Sequence, residues 1–475
     1  VGGDVTPIAH GIGGRQDLPV PLETAIIAAV AALVVSFVVL AWTVRRRDGA
    51  TALTSTGAAA AASVSHEGAP LPAAPRRTGR SALVARIGAL VDSTGWRVGL
   101  RVVGMLVFAY TVMVAVFGQD LEINPVFGIF YIWWWVGLVP FSLVFGNAWK
   151  AISPVRTINA GINWLRRDSD GLYSYDEERF GYWPAVIALL AFTWMELVYQ
   201  HNSYLGPVRL WMALYLAAML VGGQVWGSRF YANADPFEVY SSLMAKLSIW
   251  GRDTDPVSGA SRLVVRSPLA NLDTLAPRRG LVAVMAVLFG TIVFDSFRDS
   301  VPWLKLTQGD NFIARHAYLA DNLALVVFPL AIAAFFCVGT MLTGVGDQLE
   351  RRHLPGILAP SVVPIVAGYV VAHYLSYWWE GGQATLVQVS DPFSDGSNWF
   401  GTADLHVSYF FAYHPTLLAN IKVGAVVVGH ILGVVSSHRR AVAVLPRRHM
   451  ITGQIPLLVT MIGFTVGGLY LLFAA

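Results

Sequence analysis

His373, Glu380, Asp404, His406, His414, Lys422 and His430 lie among apolar and aromatic residues between Leu358 and His438, a stretch that reads as two membrane-spanning helices joined by a loop. Ionisable side chains at membrane depth cost several kcal/mol, so they are functional candidates by default. His373, Tyr377 and Glu380 follow one another at i, i+4 and i+7 and share one helical face. That face presents an imidazole, a phenol and a carboxylate to a bundle interior. Imidazole and carboxylate are the usual ligands of a divalent metal such as zinc or copper, and equally the usual members of a proton relay. A metal site requires three or four ligands converging on one point, whereas a relay needs only neighbours within hydrogen-bond reach. Both chemistries stay open here, beside plain structural hydrogen bonding.

The elements that must position these residues are set by composition. The chain is 55% hydrophobic and only 13% charged, about half the charged share of a soluble domain, with a mean hydropathy of +0.56. It is therefore an integral membrane protein with the lipid bilayer as its solvent. The net charge of +4 sits mostly in short loops, where basic residues set orientation, and implies no nucleic-acid partner. The single cysteine, Cys337, excludes an intrachain disulfide and any multi-cysteine metal site.

Residues 1–21 are a Gly- and Pro-rich extracytoplasmic tail with no cleavable-signal pattern. A first span covers 22–44, and a cytoplasmic stretch at 45–96 combines a disordered linker at 48–80 with an amphipathic helix carrying Leu83, Ile87, Leu90 and Val91 on one face, suited to the bilayer surface. Residues 97–475 hold nine further spans, at 98–118, 126–148, 183–200, 205–227, 280–298, 322–344, 358–380, 410–436 and 451–474. The expectation is thus an all-α protein of about ten transmembrane helices. Lys and Arg residues number 26 in the loops after the odd spans against 5 in the others, which puts both termini outside the cytoplasm.

Two cytoplasmic segments resemble each other. Asn147-Ala148 is followed by Pro154, Trp164 and Arg166, and Asn233-Ala234 by Pro236, Trp250 and Arg252, with the same Asn-to-Trp and Asn-to-Arg separations of 17 and 19. This fits a duplicated two-helix unit in one orientation, as parallel-repeat transporters have. A shared need for an in-plane helix, with Val155, Ile158, Ile162 and Leu165 on its apolar face, accounts for it too.

In this topology the carboxylates and histidines of five helices collect in the outer leaflet. Glu196, Asp295, His373, Glu380 and His414 form the expected pocket, as metal or proton-relay candidates, with His201, His316, Asp404 and His406 at its mouth. Tyr377, Lys422 and His430 are secondary. Lys422 can snorkel to the surface or pair with Asp295 or Glu196. Haem is disfavoured, because His414 and His430 are 16 residues and so about 24 Å apart along a helix, on nearly opposite faces. Tyr131 and Trp133 to Trp135, like Tyr377 to Trp379, suit an interfacial belt, and 385–403 with Trp399 and Phe400 suits a cap over the outer opening. No P-loop, GxGxxG before a helix, HExxH or Gly-x-Ser-x-Gly is present.

Ala9-His10-Gly11-Ile12-Gly13-Gly14-Arg15-Gln16-Asp17-Leu18-Pro19, Gly146-Asn147-Ala148-Trp149 and Gly429-His430-Ile431-Leu432-Gly433 resemble an actinobacterial-type family of multi-pass membrane proteins, some of them labelled fenitrothion hydrolase. The resemblance implies hydrolysis of an organophosphate triester at a membrane-associated site, with a metal-activated water as nucleophile and the histidine–carboxylate cluster as ligands. It brings no catalytic motif with it. Separately, His10 would chelate copper if cleavage followed Ala9, against which Pro7 argues. The leading expectation is transport or handling of a small solute or metal ion in the plasma membrane. The alternatives are a membrane-embedded metal-dependent hydrolase and a non-catalytic subunit that assembles with other membrane proteins.

Overall fold

The computed structural model describes residues 15–52, 82–167, 170–255, 258–344, 350–446 and 452–474. Ala9 to Gly14 of the first motif, with His10, and most of the 48–80 linker lie outside the described residues. The chain is mostly helical, and among the described residues eight helices are long and apolar enough to cross a membrane. A ninth span counts if the third expected one is taken whole: α4 (Pro125–Phe127) runs into a π-helical stretch at Gly128–Val136, and α5 (Leu138–Phe145) follows after a 45° bend. The π geometry is visible in the Gly137 N–H, which donates to Ile132 O five residues back at 2.8 Å. Such a stretch costs helical regularity and is frequent at functional sites. The fourth expected span, α8 (Trp183–Leu197), has 15 residues and so reaches about 22 Å, short of the roughly 30 Å hydrocarbon core.

The long helices are α1 (Leu22–Ala52), α3 (Thr94–Phe117), α9 (Leu205–Trp226), α13 (Leu281–Arg298), α16 (Ala317–Met341), α18 (Val363–Gln388), α20 (Pro415–Val444) and α21 (Ile455–Ala474). Burial separates centre from rim. About 78% of the spanning windows of α13 and of α18 with its short lead-in helix α17 (Leu354–Leu358) is buried, against 22–33% for α1, α3, α9 and α16. The two helices that carry Asp295 and His373 therefore form the middle of the bundle. α18 lies close along α20 because glycines face it: a Cβ on Gly429 would stand 2.5 Å from Pro364 O. Small residues are what permits such contact in lipid, where no hydrophobic force drives helices together. α18 also continues eight residues past the expected boundary at 380, so His373 lies nearer mid-helix than the expected span places it.

Two expectations need correction. The chain is not wholly helical, since β1 (Trp250–Thr254) and β2 (Ser261–Val265) form an antiparallel hairpin with Trp250 opposite Val265. Its apolar Leu263 receives α2 (Ala82–Asp92): Gly88 of that helix packs against Leu263 Cβ, and Asp92 pairs with Arg252 at 2.7 Å. The amphipathic helix thus covers a strand of its own chain.

The second correction concerns the loops after spans three and five. At Gly146 (φ +78°) the chain reverses into α6 (Ala148–Ile152), is capped by Ser153, and leaves through Pro154 into α7 (Pro154–Arg166). At Gly227 (φ +69°) it does so again through α10 (Ser228–Ala234), the cap Asp235, and Pro236 opening α11 (Pro236–Met244). Only glycine takes that backbone without strain. These hairpins climb back into the bundle. Ile152 lies against Gly104, the eleventh of the 24 residues of α3, where a Cβ would stand 2.0 Å from Ile152 O. Asp235 accepts from the hydroxyl of Tyr215, the eleventh of the 22 residues of α9. Both hairpin tips therefore sit halfway along a spanning helix. α7 then returns beside α9 until Arg166 meets Gln224 at 2.8 Å. It is not an in-plane helix on an apolar face: Val155 is fully buried, while Leu165 is 73% exposed. The units that repeat are set by glycine, cap and proline, not by the Asn–Trp spacing, since Trp164 is on a helix and Trp250 on a strand.

Candidate functional site

Asp295 lies three residues before the end of α13, buried by its neighbours in an apolar helix. Its Oδ2 accepts from the Tyr374 hydroxyl at 2.8 Å and faces His373 Nε2 at 2.9 Å, both residues being on α18. The other imidazole nitrogen, His373 Nδ1, meets Ser296 Oγ at 3.1 Å. Tyr369, one turn before His373, donates to Ser296 Oγ at 3.3 Å and reaches Gly468 O of α21 at the same distance. Asp295, Ser296, Tyr369, His373 and Tyr374 are all buried. One hydrogen-bonded chain thus links three helices at the bundle centre.

This arrangement tolerates two charge states of the imidazole. With a neutral ring donating through Nε2 to Asp295, Nδ1 accepts the Ser296 proton. In the imidazolium both nitrogens donate, and the serine hydroxyl turns to Ile292 O, which it reaches at 3.1 Å. A rotating hydroxyl therefore accommodates proton arrival with no movement of a helix.

Glu196, the penultimate residue of α8, is buried in the same compartment. Its field reaches Asp295 and the phenols of Tyr131, Tyr240, Tyr374 and Tyr377. Its Oε2 has no hydrogen-bond partner among the described residues. Two carboxylates and one imidazole carry two negative charges when fully deprotonated and are neutral when they hold two protons.

Of the expected pocket, Asp295 and His373 are in contact and Glu196 lies within electrostatic reach of Asp295, as does Tyr377, a secondary candidate. Glu380 is buried one turn beyond Tyr377, its Oε1 without a partner among the described residues. His414 stands apart, exposed between α19 (Phe410–Tyr413) and α20, with Nδ1 at 2.8 Å from Phe410 O and its ring on Phe410 at 4.4 Å. His201 packs between Tyr199 and Tyr204 beyond α8. His316 follows α15 (Phe312–Arg315), which comes after α14 (Val301–Gln308), and its ring lies 4.7 Å from Phe312. Asp404 and His406 are exposed in the loop before α19. Lys422 is buried in α20 in the field of Asp17, which precedes α1. Buried His430 reaches its own Val426 O at 2.8 Å, and its Nε2 has no partner among the described residues.

A second polar centre, outside the expected pocket, joins the two hairpin tips. Asp235 caps α11 through the Phe237 N–H at 3.0 Å and accepts from Trp149 Nε1 of α6 and from the Tyr215 hydroxyl, each at 3.0 Å. Arg156 of α7 forms a two-pronged bond to Glu238 of α11, Nε at 2.5 Å and the terminal nitrogen at 2.7 Å, and its guanidinium lies 4.9 Å from the Tyr231 ring. Ser142 Oγ of α5 meets Ser241 Oγ of α11 at 2.8 Å. The sequence signal for this centre is the pairing of Gly, a capping Ser or Asp, and Pro at N1 in each segment.

Among the described residues, no group of three or more His, Cys, Asp and Glu side chains is placed to hold a metal ion. The donors at the first centre are already bonded to one another. No family model, curated protein or solved structure matches the chain.

Proposed function

We propose that this multi-pass protein transports a small solute or ion across the plasma membrane, with Glu196, Asp295 and His373 as its proton-handling site, and that α8 crosses as a short tenth span so that both termini lie outside the cytoplasm. The observation that carries the proposal is the Asp295–His373 pair at 2.9 Å, buried between the two central spans and continued by Ser296 and Tyr369. Ionisable groups in that setting mark ion and proton pathways.

In this orientation the hairpin junction lies on the cytoplasmic side of the trio. Tyr240 of α11 stands in the field of Glu196 while its helix carries Asp235, Glu238 and Ser241. One helix thus carries the junction residues together with a phenol in the field of Glu196, which supports opening of the junction in step with protonation of the trio. Helices broken at mid-depth, with their first turns facing a pathway, are how several transporter folds build such a site.

The metal-dependent hydrolase reading rests on the family resemblance alone, since it needs a ligand set that the trio does not supply. The test is proton flux in liposomes loaded with a pH-sensitive dye, with candidate solutes and ions on one side. Wild type is expected to show solute-dependent flux, and Asp295→Asn and His373→Ala to reduce it at least tenfold while eluting as folded protein. Flux unchanged in both variants overturns the assignment of the trio. Absence of flux from wild type across the series overturns transport and leaves the assembly reading.

A further inference from the structure

Between α3 and α9 the bundle leaves a groove of about 180 Å3, apart from the Asp295–His373 pair and bordered by Tyr215 of the hairpin junction. Phe108 and Val112 of α3, Met212 and Leu216 of α9 and Trp134 line it, and Arg209 is its one charged residue. Val112 and Val116 are 36% and 52% exposed, so the slot opens sideways to the hydrocarbon. Arg209 is the fifth residue of α9, hence about 6 Å from the start of that span, and Leu216 lies roughly 10 Å further along it. The lining is thus a cation near headgroup level, followed by an apolar channel directed towards the bilayer centre.

The guanidinium is only partly used. Its Nε donates to Ala115 O, and among the described residues its terminal nitrogens have no acceptor and it forms no ion pair. A half-buried guanidinium facing lipid calls for an anion with two oxygens in a plane, the geometry of a phosphate. An empty apolar slot beside it calls for a chain without polar groups.

We propose that this groove binds one phospholipid, its phosphate on the terminal nitrogens of Arg209 and one acyl chain laid along α9 over Trp134. The site differs from general lipid contact in requiring both parts at once. Pro154 and Val155, which open α7, line the same groove, so the bound chain packs on the first re-entrant hairpin.

The test is native mass spectrometry of detergent-purified wild type, Arg209→Gln and Ala213→Trp, each titrated with a phosphatidylglycerol and with the diacylglycerol of the same chains. Ala213 lines the groove and is exposed, so its indole replacement fills the slot without entering the core. Wild type is expected to retain one phosphatidylglycerol per chain and to bind the diacylglycerol at least tenfold more weakly. Arg209→Gln should remove that preference, and Ala213→Trp should abolish retention of either lipid. Equal binding of the two lipids to wild type, or retention unchanged in Arg209→Gln, overturns the proposal, as does a wild-type dimer in place of bound lipid. If the tryptophan variant does not fold, the loss of preference in Arg209→Gln decides alone.

Discussion

Arg156 and Glu238 hold the same place in two different hairpins, each three residues past the side chain that caps its helix, and they bond each other. The residues four before the caps repeat the exchange. Trp149 donates to Asp235 of the second hairpin, while Tyr231 reaches Val155 O and stacks under Arg156 of the first. Equivalent positions that contact across a boundary are the mark of an approximate two-fold relation, as at the interface of a symmetric dimer. The two hairpins thus meet through equivalent positions halfway along the spanning helices.

Breaking that pair should be costly, because Glu238 is 2% exposed and Arg156 would be left without its counter-charge. Removal of one partner of a buried ion pair typically costs about 3–5 kcal/mol. Glu238→Gln and Arg156→Gln are each expected to lower the unfolding midpoint in detergent markedly. The exchange Arg156→Glu with Glu238→Arg should recover much of the loss, and a double exchange no better than either single change would show that the coupling is not between these two charges.

The junction can also be locked. Ser142 Oγ and Ser241 Oγ are 2.8 Å apart, close to what a disulfide needs after a small adjustment. With Cys337 replaced by Ala, a Ser142→Cys, Ser241→Cys protein should oxidise to an intrachain disulfide, lose flux, and regain it on reduction. Full flux in the oxidised protein, with the bond verified by mass spectrometry, would mean that the hairpins do not move during transport.

Much of this was legible in the sequence, for physical reasons. Spans are set by apolar length, and Asp295 and His373 stand out because charge inside a span is costly, so their convergence was expected. Tyr374 and Ser296 were missed because a tyrosine or serine in a span carries no such penalty and signals nothing until its partner is known. His414 was included for its place in the sequence, yet the chain breaks between α19 and α20 and leaves its ring on Phe410. The sequence reads the hairpins as cytoplasmic loops because helices of five to thirteen residues are too short for a spanning hydropathy window, and because Arg156 and Glu238 look like surface charges until they are paired. The β1–β2 hairpin was likewise hidden inside a loop counted only for its basic residues.

Tyr374 offers a test that separates structure from chemistry at the first centre. Its hydroxyl donates to the same Asp295 oxygen that faces His373. Tyr374→Phe removes one hydrogen bond and keeps the ring, which lies 4.5 Å from that of His373. A bond to a charged group contributes about 1.5–3 kcal/mol, so a modest fall in the unfolding midpoint is expected. If Asp295 exchanges protons during transport, the pH profile of flux should move as well, since a donor to its carboxylate is gone. A lower midpoint with an unmoved profile would confine Tyr374 to packing and weaken the case for Asp295 as the exchanging group.

The mid-depth position of the first hairpin rests on Gly104, and two glycines of α3 make a matched comparison. At Gly104 a Cβ would stand 2.0 Å from Ile152 O, whereas at Gly99 nothing lies within 4 Å. Backbone cannot yield as a side-chain tip can, so Gly104→Ala must push α3 away from α6, and overpacking of this kind costs about 1–3 kcal/mol. Gly99→Ala adds a methyl in open space and exchanges the worst ordinary helix former for the best, so stability should hold or rise by up to about 1 kcal/mol. Unfolding midpoints of both variants in one detergent give the comparison. Equal midpoints would place Ile152 away from α3, and the first hairpin would then not reach the middle of the bundle.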